Sequence, residues 1–266
     1  MKNKIQHSFN NFDHDSLQFH FFCDKLIGAC RIFYTNSLCH SSIWIYNNNE
    51  MKEIFSSSNP INSSNSKILD INVDNLTIKE IENKIFKIEL INPGISISLQ
   101  SVNLESWNDT RSKVIHLPNM KAEIKYKNKT YSGTGYSKRY SWKPSPIHWG
   151  YRFIQGFNKN DQSSIWTADA TFGLNKYDYF KILKPDGELI NTFDDISFHR
   201  QNYMRAKTTH GNFKIELEEI GLWKVNLKSS KMDSLLQQRL CKFQAKLKNK
   251  KMFGFAINET CYGTLG

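Results

Sequence analysis

The chain has 266 residues, of which 39% are hydrophobic, 13% aromatic and 23% charged, and its net charge is +11. This length suits one large domain or two of ordinary size, and the aromatic share excludes a wholly disordered chain. No run of about 18 apolar residues indicates a membrane span. The first residues also lack the apolar stretch of a secretory signal. We therefore predict a cytoplasmic globular protein.

The positive charge is concentrated towards the C-terminus. Residues 224–251 hold nine Lys or Arg against Asp233 alone, a net +8 of the total +11. Because the rest of the chain is close to neutral, the pattern argues against a dedicated nucleic-acid binder.

Neither a metal nor a cofactor is predicted. The five cysteines are an odd number at irregular spacings without a CxxC pair, which favours reduced packing thiols over a metal site. No Gly-x-Ser-x-Gly, P-loop or Rossmann glycine pattern occurs.

Alternation of apolar and polar residues dominates the chain. Every second side chain is apolar in residues 85–90, 94–100, 122–126 and 213–217. Period two predicts half-buried antiparallel strands, and turn residues separate the segments. The predicted fold class is therefore all-β and mainly antiparallel, with two β-barrels or sandwiches in tandem. We expect the domains to be 1–128 and 129–266.

Residues 233–250 depart from this alternation. Apolar residues recur there at steps of four, three and four, which is typical of one helix face: Leu236, Leu240, Phe243 and Leu247. Lysines recur on another side at steps of four: Lys242, Lys246 and Lys250. We predict one C-terminal helix. It either covers a barrel end with a solvated lysine face or rests on anionic lipid or nucleic acid.

The densest aromatic stretch is 131–166. Its tryptophans Trp142, Trp149 and Trp166 suit either the wall of a pocket for a hydrophobic ligand or an aromatic core. The cation of Arg152 lies among them in sequence and could hold an oxyanion or tune a proton donor.

This stretch resembles the AttH-like and carotenoid hydratase (hydroxyneurosporene synthase) superfamily. Gly133-Thr134-Gly135-Tyr136 is similar to the Gly-x-Gly-Tyr motif at the start of that family's second half, and 149–153 to the Trp-Gly segment after it. Residues 253–263 are similar to its closing strand. The resemblance implies two lipocalin-like barrels in tandem. It also implies water addition, cyclisation or isomerisation of isoprenoid- or polyketide-like substrates without a redox cofactor.

Two departures from the family pattern stand out. Lys138 occupies the position where the family has Glu, two residues after the motif tyrosine. Residues 17–22 replace the family's Trp-rich N-terminal motif. The first departure removes a candidate acid, and the second indicates a different substrate or a loss of activity.

Glu259 is the main acid/base candidate. On a regular strand it shares one face with four apolar or small residues, Phe253, Phe255, Ile257 and Cys261. We expect that face to be a barrel interior, where a carboxyl requires a partner. Arg152 and Tyr136 are the predicted partners, and Asp169 could form an acid/base pair with Glu259. The alternative is a buried structural tie between Glu259 and Arg152.

Two functional hypotheses follow. In the first, the protein is a cofactor-free hydratase, cyclase or isomerase. Its predicted catalytic residues are Glu259, Tyr136, Tyr151 and Arg152. Its predicted substrate-binding residues are Trp142, Trp149, Trp166, Asp169 and Tyr262. In the second, it is a non-catalytic carrier of a hydrophobic ligand or lipid, and the basic helix contacts anionic membrane. A binder of single-stranded nucleic acid is disfavoured by the near-neutral aromatic stretch.

Overall fold

The structure is a computed structural model that describes residues 14–35, 38–60, 70–73, 75–82, 85–91, 94–101, 105–108, 112–142, 148–192, 195–229 and 232–264. Every regular element within these residues is a β-strand, and the strands pair antiparallel. The predicted all-β, mainly antiparallel class is therefore confirmed. The described part of the chain has no helix that is long and apolar enough to cross a bilayer.

The first compact unit ends at Ser145 and contains eleven described strands. These are β1 (His14–Cys23), β2 (Leu26–Thr35), β3 (Leu38–Asn47), β4 (Glu50–Pro60), β5 (Asp70–Val73), β6 (Leu76–Glu82), β7 (Ile85–Leu90), β8 (Ile95–Ser101), β9 (Glu105–Asn108), β10 (Ser112–Tyr126) and β11 (Lys129–Trp142). They form one sheet in the order β4-β3-β2-β1-β11-β10-β8-β7-β6-β5, with β9 paired to β10.

The position of β11 corrects the predicted domain boundary. β11 pairs with β1 on one side, from His14 opposite Trp142 to Cys23 opposite Gly133, and with β10 on the other. Moving it to the second unit would open the first sheet at its centre. The chain therefore divides between Ser145 and Pro146 and not after residue 128.

The second unit contains nine described strands. These are β12 (His148–Asn158), β13 (Ser164–Phe172), β14 (Asn175–Leu183), β15 (Leu189–Thr192), β16 (Ser197–His199), β17 (Tyr203–Thr208), β18 (Gly211–Ser229), β19 (Met232–Leu247) and β20 (Lys250–Thr264). Their order is β15-β14-β13-β12-β20-β19-β18-β17-β16. Each unit thus begins with a four-strand meander and pairs its last strand with its first.

The predicted alternation explains both cores. In the first unit one apolar cluster lies on one face of the sheet and includes the register neighbours Ile88, Ile97 and Ile124. In the second unit Ile154, Phe180 and other apolar residues form an equivalent cluster.

One of the predicted turns joins β10 to β11. Lys127 and Asn128 adopt positive φ angles of 49° and 59° between β10 and β11, the conformation of a two-residue hairpin turn.

The predicted C-terminal helix is wrong, because 232–247 form strand β19. A step of four residues is even, so it fits a strand face as well as a helix face. Leu236 and Leu240 lie on one face of β19, and the step of three to Phe243 changes to the other face. Both faces are buried at the centre of the strand, from Gln238 to Cys241.

The predicted lysine stripe has the same explanation. Lys242 and Lys246 are exposed and alternate with the buried Phe243 and Ala245. Lys250 belongs to the next strand, β20. The amphipathic basic helix proposed for membrane contact is therefore absent.

Candidate functional site

Three polar side chains from three adjacent strands meet at Glu259. The Tyr151 hydroxyl donates a hydrogen bond of 2.9 Å to Glu259 Oε1, and Gln238 Nε2 donates one of 2.6 Å to Glu259 Oε2. Glu259 is 1% exposed and Gln238 is fully buried. Pairing between β12, β20 and β19 places Gln238 directly opposite Glu259 and Tyr151 one diagonal step away. We call these three residues the Glu259 group.

The surroundings of the Glu259 group are mostly apolar. Strand register puts several buried side chains on the same sheet face as Glu259: Phe153, Ile257, Leu240, Cys261 and, one strand further, Trp166. A carboxyl that is held by two hydrogen bonds in mostly apolar surroundings can take a proton from a bound molecule and return it.

Glu259 does not lie where the sequence predicted. It is buried, but the apolar core of the second unit is on the other face of β20, with Met252 and Ala256. Phe253, on the predicted interior face, is 45% exposed. The face that carries Glu259 is therefore buried only in the middle of the strand.

Arg152 lies on the face of the sheet opposite to Glu259, contrary to the prediction. Adjacent residues of a strand point to opposite faces, so Arg152 lies on the face opposite to Tyr151. Its guanidinium donates to the backbone oxygens of Arg200 and Gln201 and to Asn258 Oδ1, at 2.6, 2.5 and 3.1 Å. Burial lowers the pKa of Arg152. Arg152 therefore anchors the segment between β16 and β17.

Asp169 is also separated from Glu259. It pairs across strands with Arg152 and Asp178, and so lies on the Arg152 face. Burial, followed by the hydrogen bond and charge of Asp178, raises the pKa of Asp169. The predicted acid/base pair of Asp169 and Glu259 is not formed.

Two predicted site residues belong to the first unit. Tyr136 and Trp142 are both on β11. The fully buried Tyr136 ring stacks on His20 with 4.5 Å between ring centroids, and Trp142 stacks on His14 at 4.4 Å.

The remaining predicted residues are in the second unit. Trp149 is buried against Gly263, where a Cβ atom would clash with the indole ring. Trp149 and Trp166 share the sheet face of the Glu259 group. Tyr262 lies on the other face and is 59% exposed, beside Gly150.

A buried polar layer on the first sheet was missed by the sequence analysis. Gln18, Lys138 and His116 are register neighbours on β1, β11 and β10, and each is 1% exposed. His20 and Tyr136 continue the layer one step along. The available signal was the run of Ser, Gln and His at alternate positions of β1, where a solvent-facing strand would carry charged residues.

No metal-binding cluster exists among the residues that the structure describes, because no three His, Cys, Asp or Glu side chains come together. The five cysteines are free and buried, as predicted. Burial raises the pKa of the Cys23 and Cys241 thiols to about 12, which makes them poor nucleophiles.

Comparison with known proteins gives structural neighbours. No family model and no curated protein sequence matches the chain. Kievitone hydratase from Nectria haematococca superposes with a TM-score of 0.65 at 10% identity, over 94% of this chain and 89% of that one. A protein from Nitrosomonas europaea assigned as an AttH gives 0.65 at 10% identity, over 97% and 98%. CghA gives 0.60 at 6% identity, over 94% and 88%.

The chain has the fold of these three proteins. The AttH-like, tandem lipocalin-like fold implied by the sequence resemblance is therefore confirmed. One motif of that resemblance is relocated: Gly133-Thr134-Gly135-Tyr136 lies on the last strand of the first unit and does not begin the second. A Cβ atom at Gly133 or Gly135 would collide with the backbone oxygens of β1, so the glycines allow β1 and β11 to pair closely.

Proposed function

We propose that the protein catalyses a cofactor-free hydration, cyclisation or isomerisation of a hydrophobic, isoprenoid- or polyketide-like metabolite. The observation that carries the proposal is the Glu259 group, in which a buried carboxyl accepts hydrogen bonds from a phenol and an amide. A purely passive carrier does not need such a polar convergence. The names of two neighbours, kievitone hydratase and CghA in complex with Sch210972, also support an enzyme that acts on a small organic molecule.

Glu259 is the proposed acid/base group. Its carboxylate removes a proton from the substrate or from water, and the resulting acid returns the proton to a different atom. In hydration, the acid protonates an alkene carbon, water adds to the carbon that becomes electron-poor, and the added water returns its proton to the carboxylate. Each of these two series of steps restores the Glu259 carboxylate or acid to its starting protonation state and requires no oxidant or reductant.

Tyr151 and Gln238 have supporting roles. Tyr151 holds one carboxylate oxygen and can pass a proton, and Gln238 fixes the rotation of the carboxyl through the other oxygen. Phe153 and Trp166, which are buried on the same sheet face as Glu259, are the proposed apolar contacts that orient a hydrophobic substrate.

The carrier hypothesis assigned contact with anionic membrane to a predicted basic helix. That segment is strand β19. The proposal therefore retains a hydrophobic small-molecule partner without a membrane-contacting element.

Deuterium incorporation tests the proposed chemistry. Hydrophobic molecules that co-purify with the chain are identified by native mass spectrometry and incubated with fresh protein in D2O without any added cofactor. We expect deuterium at carbon, and we expect Glu259→Gln to reduce the rate about 100-fold or more while ligand binding persists. The control is Glu218→Gln, an exposed glutamate on β18. Equal incorporation by the Glu259 variant would contradict the assignment.

A further inference from the structure

Arg31 is a buried cation with little hydrogen bonding. It lies on β2 between Gln18 of β1 and Ser42 of β3, and it is 3% exposed. Its terminal nitrogen Nη2 donates to Ser16 Oγ at 3.4 Å, and within the described residues Nε and Nη1 have no hydrogen-bond partner. Because a guanidinium has five N–H donors, most of its donor capacity is unused.

Arg139 provides a contrast within the same sheet. It lies on the opposite face of the first sheet, where its Nε donates to Asp15 Oδ1 at 2.9 Å and its Nη2 pairs with Asp15 Oδ2. Among the residues that the structure describes, no carboxylate forms such a pair with Arg31. Leaving a buried charge uncompensated is strongly unfavourable. An anion bound at Arg31 would remove that cost.

The described groups around Arg31 add polar atoms but no negative charge. Burial, and then the charge of Arg31, lower the pKa of His14 to about 3 and of His40 to about 4, so both rings are neutral near pH 7. His40 Nδ1 shares a hydrogen bond of 2.8 Å with Ser58 Oγ. His40 Nε2 and Ser42 Oγ are buried and have no partner in the described part of the chain.

Aromatic rings surround this group. The Arg31 guanidinium lies 5.5 Å from the Phe33 ring centre. His14 packs edge-on against Phe33 at 4.6 Å and stacks on Trp142. An anion reaching Arg31 would therefore meet apolar rings beside the charged donors.

We propose that Arg31, His40 and Ser42 bind the carboxylate or enolate oxygens of an organic anion with an apolar body. The planar guanidinium presents two parallel N–H bonds to such a pair of oxygens. The proposal concerns the first unit and does not depend on proton transfer at the Glu259 group.

Matched probes test the charge of the ligand. Binding of 2-naphthoate, 2-naphthamide and inorganic phosphate to the full chain is measured by calorimetry. We expect 2-naphthoate to bind about tenfold or more tightly than the neutral 2-naphthamide, and phosphate to bind more weakly than 2-naphthoate. Equal affinities for the two naphthyl compounds would overturn the anion site. Phosphate binding as tight as that of 2-naphthoate would overturn the apolar part of the proposal.

Variants test the residue. Arg31→Met should abolish the preference for 2-naphthoate and should raise the melting temperature, because it removes an uncompensated charge. Arg205→Met changes the net charge equally at an exposed position and should preserve the preference. A lower melting temperature together with an unchanged preference would show that Arg31 has a structural role only. If Arg31→Met does not fold, Arg31→Lys, which keeps the charge but loses the planar fork, should weaken 2-naphthoate binding; unchanged binding would overturn the proposal.

Discussion

The Tyr151 hydroxyl and the Glu259 carboxylate are joined by a hydrogen bond of 2.9 Å across the adjacent strands β12 and β20. They are not direct register partners, since Tyr151 is opposite Cys261 and Glu259 is opposite Phe153. The phenol therefore reaches diagonally along one sheet face, a distance that a tyrosine can span. Removing this hydrogen bond by mutation is the most direct test of the Glu259 group.

Tyr151→Phe should lower the free energy of unfolding by about 1–3 kcal/mol, because a buried carboxylate oxygen loses one donor. Urea denaturation measures the change. Tyr177→Phe, at a 42% exposed tyrosine of the same unit, is the matched control and should have little effect. Similar losses in both variants would mean that the hydroxyl of Tyr151 contributes nothing specific.

Gln238→Glu should make stability fall as pH rises. The new carboxyl would replace an amide that lies 2.6 Å from Glu259, and two adjacent carboxyls share a proton, which raises a pKa in the folded state. A folded-state pKa above the unfolded value of about 4.3 stabilises at low pH and is lost as pH rises through it. The deficit in melting temperature should therefore be larger at pH 8 than at pH 5.

The control for this change is Gln244→Glu. Gln244 is exposed on the same strand, so a carboxylate there is solvated. It lies between Lys242 and Lys246 and opposite Glu216, among charges of both signs. We expect no growing deficit with pH. If Gln238→Glu behaves in the same way, the amide does not face Glu259 in solution.

Acidification should destabilise the fold through buried histidines. The pKa of His40 is lowered to about 4 in the folded state, whereas an unfolded histidine titrates near 6.5. The unfolded state therefore binds the extra proton between these values, and stability falls as pH drops below about 6.5. His40→Gln should flatten the pH dependence of the urea midpoint between pH 7 and 5. His148→Gln, at an exposed histidine, should leave it unchanged.

Gly133→Ala should destabilise the first unit by about 1–3 kcal/mol, because the new methyl group would overlap the backbone oxygen of Phe22 on β1. The backbone of β1 cannot move without breaking its pairing with β2. Gly150→Ala is the comparison, since its nearest neighbour is the exposed ring of Tyr262 at 3.0 Å. Thermal unfolding should separate the two variants, and equal melting temperatures would contradict the close approach.

The strands were predictable because alternation and turn residues are local signals. The prediction of a helix was wrong because a step of four residues, as from Leu236 to Leu240, keeps side chains on one face of a strand as well as of a helix. Within the site, the burial of Glu259 followed from its apolar strand neighbours. One predicted partner, Arg152, lies on the opposite face for a reason visible in the sequence: Arg152 is adjacent to Tyr151 on one strand, so only one of the two can face Glu259. The other predicted partner, Tyr136, belongs to β11 of the first unit.

Other features required the three-dimensional pairing. β1 and β11 are separated by more than a hundred residues, and only their pairing brings His20 to Tyr136. The burial of Gln18 and Lys138 likewise depends on what covers a sheet face, which alternation does not reveal.

The pairing of the first strand with the last has a consequence for how each unit is made. His148 at the start of β12 lies opposite Thr264 at the end of β20. During synthesis one edge of β12 must therefore stay unpaired until β20 has been made. Contacts so distant in sequence slow folding, and an unpaired edge invites wrong partners. The same adjacency brings the two ends of the unit together, so a short link between them should permit new termini in an exposed turn.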